Sequence, residues 1–448
     1  MLPRIFRNRQ SRTAALALCV GLVGAASMVY YQFGLFMPRV KAVLAAKRLA
    51  SPYAFGADIY PIWLTSRAWR QERRDPYSPA ITREIQIGLF GRPLDARIPT
   101  DPPTDYRTFA YPAYCDLLFW PASKLPFATF RTVWTALLAT LIAAAVFCWT
   151  QALTWQVNWI WLVVIILLTL CSYPELEGLY AGQLGLLVGF LLAASLLAIV
   201  RDHLVLAGFL MAITTIKPQM TLLAIMYLLF WSMSDWQHRS RFSMSFFTTM
   251  FLLIGASLVV WPHWISSWLG VIRGYHSYST PPLASELLGA SLGPHGGTAL
   301  IIVALIAAVV LGWRWRGAAA GSYEFWMALS LLLSVTTIAL LPGQSVFDHV
   351  ILLPGIFLLA SRWQSHYSSP IFRTLLLAVG TAVLLWPWLS SLALIALRPL
   401  LRPEVFSSKT VFLLPLRTAA AFPFVVLGLL VLALRTRQTL DSAATPLP

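Results

Sequence analysis

Apolar residues run along this chain in long blocks, without the short alternation that a soluble helix or strand requires. Blocks able to span a bilayer fall near 13–33, 129–150, 157–173, 183–200, 204–216, 218–233, 243–263, 298–313, 323–341, 346–361, 374–392 and 410–434, bounded by charges or turn residues. The pattern predicts an all-α integral membrane protein with about twelve transmembrane helices. Some blocks hold only 13–16 residues. Lys217-Pro218 divides 204–233 into two short spans meeting at the outer face, or breaks one long helix.

Two polar stretches separate the blocks. Residues 34–128 form a large first extracytoplasmic loop and 264–297 a second, on a chain read as one polytopic membrane domain, 1–448. In the first loop, 57–74 puts Ile62, Ala68 and Trp69 near one helical face, with Arg67, Arg70, Arg73 and Arg74 elsewhere. That is the pattern of an amphipathic helix lying on a membrane surface. Residues 111–127 are apolar but broken by Pro121 and Pro126, as in a re-entrant or interfacial piece. There are no heptads, low-complexity tracts or internal repeats.

Composition agrees with a bilayer as solvent: 58% of positions are hydrophobic and 11% charged. The net charge of +16 would suggest nucleic acid in a soluble protein. Here the basic residues lie between apolar blocks, where they orient the chain and attract anionic lipids, so membrane lipids and not nucleic acid are the expected partners. Alternating sides from an inner N-terminus leaves thirteen basic residues in short inner segments and five in short outer loops. Both termini are therefore expected in the cytoplasm, with the protein in the cytoplasmic (inner) membrane. Arg4, Arg7, Arg9 and Arg12 precede a first block longer than a signal-peptide core, so it reads as an uncleaved anchor, although Gly24-Ala25-Ala26-Ser27 resembles a cleavage site. Cys19, Cys115, Cys148 and Cys171 lack metal or disulfide spacing and read as small apolar fillers.

Scarce charges mark the candidate chemistry. Asp58, at the outer surface after the first span, can act as a general base toward a hydroxyl or can cap the following helix. Lys217 interrupts an apolar run, where an unpaired lysine costs roughly 2.5–3.5 kcal/mol. A phosphate would suit its compact ammonium, and a turn lysine snorkelling to the interface is the bland alternative. Asp348 and His349 follow Pro342-Gly343-Gln344 at the start of another span and can bind sugar or phosphate, or simply cap the helix. Gln183, after Gly182, occupies the analogous outer start of the fourth span. Glu175 and Glu177 resemble a metal-binding pair without an evident third ligand, and no D-x-D pair exists. No metal or cofactor is expected, and phosphate-loop and G-x-S-x-G motifs are absent.

The order of these features resembles the polyprenyl-phosphate-mannose-dependent α-1,2-mannosyltransferase family, with its GT-C membrane glycosyltransferase fold. Five segments carry the likeness: Ala57-Asp58-Ile59-Tyr60 with Arg74-Asp75-Pro76-Tyr77; Phe109-Ala110-Tyr111-Pro112 with Leu125-Pro126-Phe127; Gly182-Gln183-Leu184-Gly185-Leu186-Leu187; Ala207-Gly208 through Lys217-Pro218; and Phe347-Asp348-His349 with Leu352-Leu353-Pro354. They extend over most of residues 55–355. Ile59, Ala113 and Gly185 depart from the family pattern, which usually has an aromatic, a second proline and an asparagine there. These departures bear on the sugar and the acceptor more than on the fold.

The resemblance implies inverting transfer of a sugar, mannose by family expectation, from a polyprenyl-phosphate donor to a lipid or glycan acceptor outside the cytoplasm. Asp58 would be the general base. Lys217, with an arginine of the first loop, would neutralise the departing phosphate. His349, Asp348, Gln183 and Tyr111 would contact substrate. The competing readings are a transporter or flippase of a lipid-linked sugar, and an O-antigen polymerase or ligase-like enzyme; a non-enzymatic scaffold is a third. A transporter commonly shows repeated halves with matching broken helices, and only the break at Lys217-Pro218 is present.

Overall fold

The computed structural model describes residues 9–47, 49, 55–278, 282–343, 345–362 and 370–444; Arg4, Arg7 and Gln344 lie outside the described residues. Among the described residues the chain is helical without strands, apart from an isolated bridge between Pro282 and Pro342. Among the described residues, four helices are long and apolar enough to cross a membrane: Ala15–Ala46, Phe127–Ala152, Trp236–Val260 and His295–Arg314. Two bent pairs, Trp159–Leu170 with Tyr173–Ala181 and Ala378–Leu384 with Trp386–Leu397, raise the number to six if each is one broken span. Shorter apolar helices accompany them at Leu184–Val200, Leu204–Ile216, Leu222–Ser234, Tyr323–Ala339, Val346–Ser361 and Phe422–Leu434. This is a multi-pass membrane protein.

Side-chain placement explains why. On Phe127–Ala152, Phe130, Trp134, Leu138, Ile142, Ala145 and Trp149 recur at three- or four-residue spacing on one buried face, which packs against Leu184–Val200. Val133, Leu137 and Phe147 face outward. Trp236–Val260 likewise exposes Phe247, Phe251 and Leu252, with Val259 85% exposed. An outward-facing apolar surface of this extent is tolerated in hydrocarbon and not in water.

Three boundaries differ from the sequence expectation. The first helix does not stop at residue 34 but continues to Ala46 through a π-helical segment, Tyr30–Phe36. A proline ring presses on the carbonyl four residues back, and this wider turn eases Pro38 past Gly34. Residues 264–297 are largely helical, in Trp264–Tyr278 and the start of Leu283–Arg314, which breaks at Gly293. The last apolar helix begins at Phe422 and not near 410, because a short helix and a 3-10 turn at Pro415 come first.

The first loop folds into helices Tyr60–Glu72, Pro79–Phe90 and Tyr114–Phe119, the last continuing as the 3-10 segment Trp120–Lys124. The apolar face of Tyr60–Glu72 meets protein instead of lipid. Ile62, Trp63, Thr65, Ser66 and Ala68 are buried against the Tyr114–Lys124 segment, and Trp69 lies 5.3 Å from the ring of Trp261. The sequence 111–127 is thus a short helical piece wedged beneath this helix.

Candidate active site

Asp58 lies two residues before Tyr60–Glu72, and it does not cap that helix. Ile59 holds the cap position, which has no side-chain cap. Backbone bonds fix the segment to the end of another helix: Gly56 N–H donates to the Tyr180 carbonyl at 2.8 Å and Asp58 N–H to Ala181 at 2.9 Å. The chain then turns at Gly182, whose φ of +73° is the left-handed cap that glycine tolerates best. Trp134 Nε1 donates to the Gly182 carbonyl at 3.0 Å and pins the turn. Gln183 follows with extended backbone and makes no capping bond, so its amide bonds elsewhere.

Those bonds bring four predicted residues together. Gln183 Nε2 donates to Asp58 Oδ2, while its Oε1 accepts from Lys217 Nζ at 3.2 Å. Lys217 Nζ also donates to Asp348 Oδ1 at 2.6 Å and stands 4.9 Å from the centre of the Phe347 ring. At the other end, Arg107 donates to Asp58 Oδ1. One polar chain therefore links Arg107, Asp58, Gln183, Lys217 and Asp348.

Local sequence explains the position of Lys217. Pro218 disfavours helical backbone in the residue before it, and Lys217 accordingly adopts φ −135°, ψ 71° between two 3-10 turns. Tyr114 OH donates to the Thr215 carbonyl at 2.7 Å and ties the loop helices to this break. The pair is sealed, with 9% side-chain exposure at Lys217 and 1% at Asp348. A buried cation without a partner would be costly, and Asp348 supplies the counter-charge.

Gly185 makes room for the pair. A Cβ there would lie 2.3 Å from Asp348 Oδ1 and 3.5 Å from Lys217 Nζ. The position where the resembling family often has asparagine thus needs a residue without a side chain here.

The His349 ring is stacked on Phe422, with centroids 6.3 Å apart and an interplanar angle of 8°. His349 Nδ1, Asp348 Oδ2 and Glu177 Oε2 are buried with no hydrogen-bond partner within the protein. Native proteins rarely leave such atoms unsatisfied, and sugar hydroxyls, which both donate and accept, have the matching chemistry. Tyr111 packs on Phe109 at 5.9 Å, and its carbonyl accepts from Tyr77 OH at 2.8 Å. Glu175 accepts from Ser172. Among the described residues, no three His, Cys, Asp or Glu side chains group as metal ligands.

Three contributors escaped the sequence reading. Arg107 was one of many loop arginines, and it is the one delivered to Asp58. Gln86 staples its loop, with Nε2 donating to the carbonyls of Thr104 and Tyr106 and Oε1 accepting from Leu94 N–H. Asp116 is fully buried under Tyr60–Glu72, where Thr65 and Ser66 donate to its Oδ1 at 2.7 and 3.1 Å. Burial pushes its carboxyl up to about 8, against the opposing pull of those two hydroxyls.

Comparison with known families matches residues 109–342 to the family described as glycosyltransferase family 87. The matched stretch contains Tyr111, Gln183 and Lys217 and leaves Asp58, Asp348 and His349 outside it. No curated protein and no solved structure matches the chain.

Proposed function

The chain belongs to glycosyltransferase family 87, and on that premise we propose that it transfers a sugar, mannose first among candidates, from a polyprenyl-phosphate donor. The acceptor is a lipid or glycan, and transfer occurs with inversion on the outer face of the cytoplasmic membrane. The observation that carries this reading is the bridge from Asp58 through Gln183 to Lys217. It sets a carboxylate suited to proton removal two hydrogen bonds from an ammonium suited to phosphate. Membership of a transferase family also favours the enzyme over the flippase reading.

In the proposed reaction the acceptor oxygen attacks the anomeric carbon and its proton passes to Asp58. The bond from that carbon to the phosphate oxygen breaks, and the electron pair leaves with polyprenyl phosphate. Lys217 stabilises the charge that develops there. His349, Asp348, Gln183 and Tyr111 hold donor or acceptor. A single displacement inverts the anomeric centre. A membrane-tethered donor requires the site at the bilayer boundary, which twelve spans, cytoplasmic termini and an extracytoplasmic first loop would provide. The test supplies purified protein with a polyprenyl-phosphate sugar and glycolipid acceptors, and follows release of polyprenyl phosphate. Activity confined to nucleotide-sugar donors would overturn the donor class.

A further inference from the structure

The first helix carries a buried amide that is left without a partner among the described residues. Gln32 lies in the π-helical turn Tyr30–Phe36 and is fully buried, and neither its Nε2 nor its Oε1 makes a hydrogen bond. Its neighbour Tyr31 is equally buried, yet the Tyr31 hydroxyl donates to the Phe412 carbonyl at 2.8 Å. Packing thus provides for one residue of this turn and not for the next. A buried amide without partners is costly, and native proteins keep few of them. π turns within α-helices also occur frequently at functional sites.

The turn packs on the helix Tyr173–Ala181. On that helix Tyr173, Leu176, Glu177 and Tyr180 recur on one face at three- and four-residue spacing. Tyr31 shares a buried cluster with Tyr173 and Leu176, and the rings of Phe33 and Tyr180 lie 6.1 Å apart. Gln32 follows Tyr31 and Glu177 follows Leu176, so both belong to this interface. Glu177 is half-buried and its Oε2 is shielded and unpartnered, so the two side chains do not satisfy each other. The same helix anchors Asp58. Its last residue, Ala181, accepts from Asp58 N–H at 2.9 Å, one turn or about 6 Å beyond Glu177.

Resting on the sugar transfer proposed above, we propose that Gln32 and Glu177 form a subsite for the non-reacting hydroxyls of a sugar held beside Asp58. The Glu177 oxygen calls for a donor, and the Gln32 amide calls for both a donor and an acceptor. Adjacent sugar hydroxyls meet that demand. One donates to Glu177 Oε2 or Gln32 Oε1, and its neighbour accepts from Gln32 Nε2. Neither side chain carries a positive charge, so a phosphate finds no counter-charge here. The subsite selects by hydroxyl pattern. Acceptor glycan and donor sugar both carry such hydroxyls, and the test separates them.

The test uses the full chain in lipid nanodiscs, with polyprenyl-phosphate mannose as donor, methyl α-mannoside as acceptor probe, and monodeoxy forms of each sugar. Because the amide is unpartnered in the free protein, Gln32→Leu should melt no lower than wild type. Its KM for one substrate should rise roughly 5- to 50-fold, the scale of one or two lost hydrogen bonds. A rise for the mannoside assigns the subsite to the acceptor, and a rise for the donor assigns it to the transferred sugar. Removing the hydroxyl that Gln32 holds should penalise the wild type and leave the variant unchanged. Equal penalties in wild type and variant for every deoxy form would overturn the proposal and reduce Gln32 to packing. A melting point several degrees lower would overturn it too, by showing that the amide is satisfied within the protein. If Gln32→Leu is not recovered, Glu177→Ala is read against the same deoxy forms and decides. Absence of turnover with polyprenyl-phosphate mannose overturns the donor class alone. The subsite is then read from the rise in melting temperature that methyl α-mannoside produces, and an equal rise in wild type and Gln32→Leu, or none in wild type, overturns it.

Discussion

Replacing Gly185 by alanine tests whether the Lys217–Asp348 pair is built as described. The added Cβ would lie 2.3 Å from Asp348 Oδ1, about 1 Å inside ordinary carbon–oxygen contact. Relief requires Asp348 to retreat by roughly that amount, which lengthens its 2.6 Å bond to Lys217 beyond hydrogen-bonding range. Asp348 has 1% side-chain exposure, so water does not replace the lost contact. Overpacking costs about 1–3 kcal/mol and breaking a buried pair about 3–5 kcal/mol, so the variant should lose about 3 kcal/mol or more of stability. Because Lys217 then loses the partner that holds it in place, donor KM should also rise, by about tenfold for each 1.4 kcal/mol of lost phosphate interaction. The assay pairs thermal unfolding in detergent with donor titration. Gly255→Ala serves as control, since its added Cβ meets nothing within 4 Å. A Gly185→Ala protein with wild-type melting and donor KM would refute the packing argument.

Other perturbations separate roles within the site. Lys217→Met should raise donor KM at least tenfold with a smaller change in acceptor KM, and unchanged donor kinetics would remove Lys217 from the phosphate site. Asp116 binds its proton more tightly when folded, so its contribution to stability is fully present below about pH 4 and is lost as pH rises to about 8. Asp116→Asn should flatten that decline in melting curves taken from pH 5 to 9, and an undiminished slope would show that other groups set it. Cysteines placed singly between residues 60 and 110 should react with impermeant reagents from outside intact cells; labelling only after lysis would reverse the proposed orientation.

Much of the fold is legible because a bilayer demands long apolar runs and allows few alternatives. The run at 129–150 and the helix Phe127–Ala152 nearly coincide. Helix ends were less legible, because local geometry decides them: a π turn carries the first helix past Pro38, and Pro415 delays the last. In the site, Asp58, Lys217 and Asp348 stood out because charges are scarce around them. Arg107 did not, because Arg67, Arg70, Arg73, Arg74, Arg83, Arg92 and Arg97 share the same loop. Which of these reaches Asp58 depends on a staple made by Gln86, and no pattern in the sequence encodes that contact. Asp116 was hidden for a related reason. Its burial comes from Thr65 and Ser66 on a helix distant in sequence. Gly185 read as a departure from a family pattern, and packing against Asp348 supplies its reason.

The central claim is that Asp58 removes the acceptor proton. Asp58→Asn preserves shape and the capacity to bond Gln183 while removing the basic carboxylate. With a polyprenyl-phosphate sugar and acceptor, the purified variant should fold, bind donor and transfer sugar at least 10²-fold more slowly than wild type. Transfer at the wild-type rate by a folded Asp58→Asn protein would contradict the account.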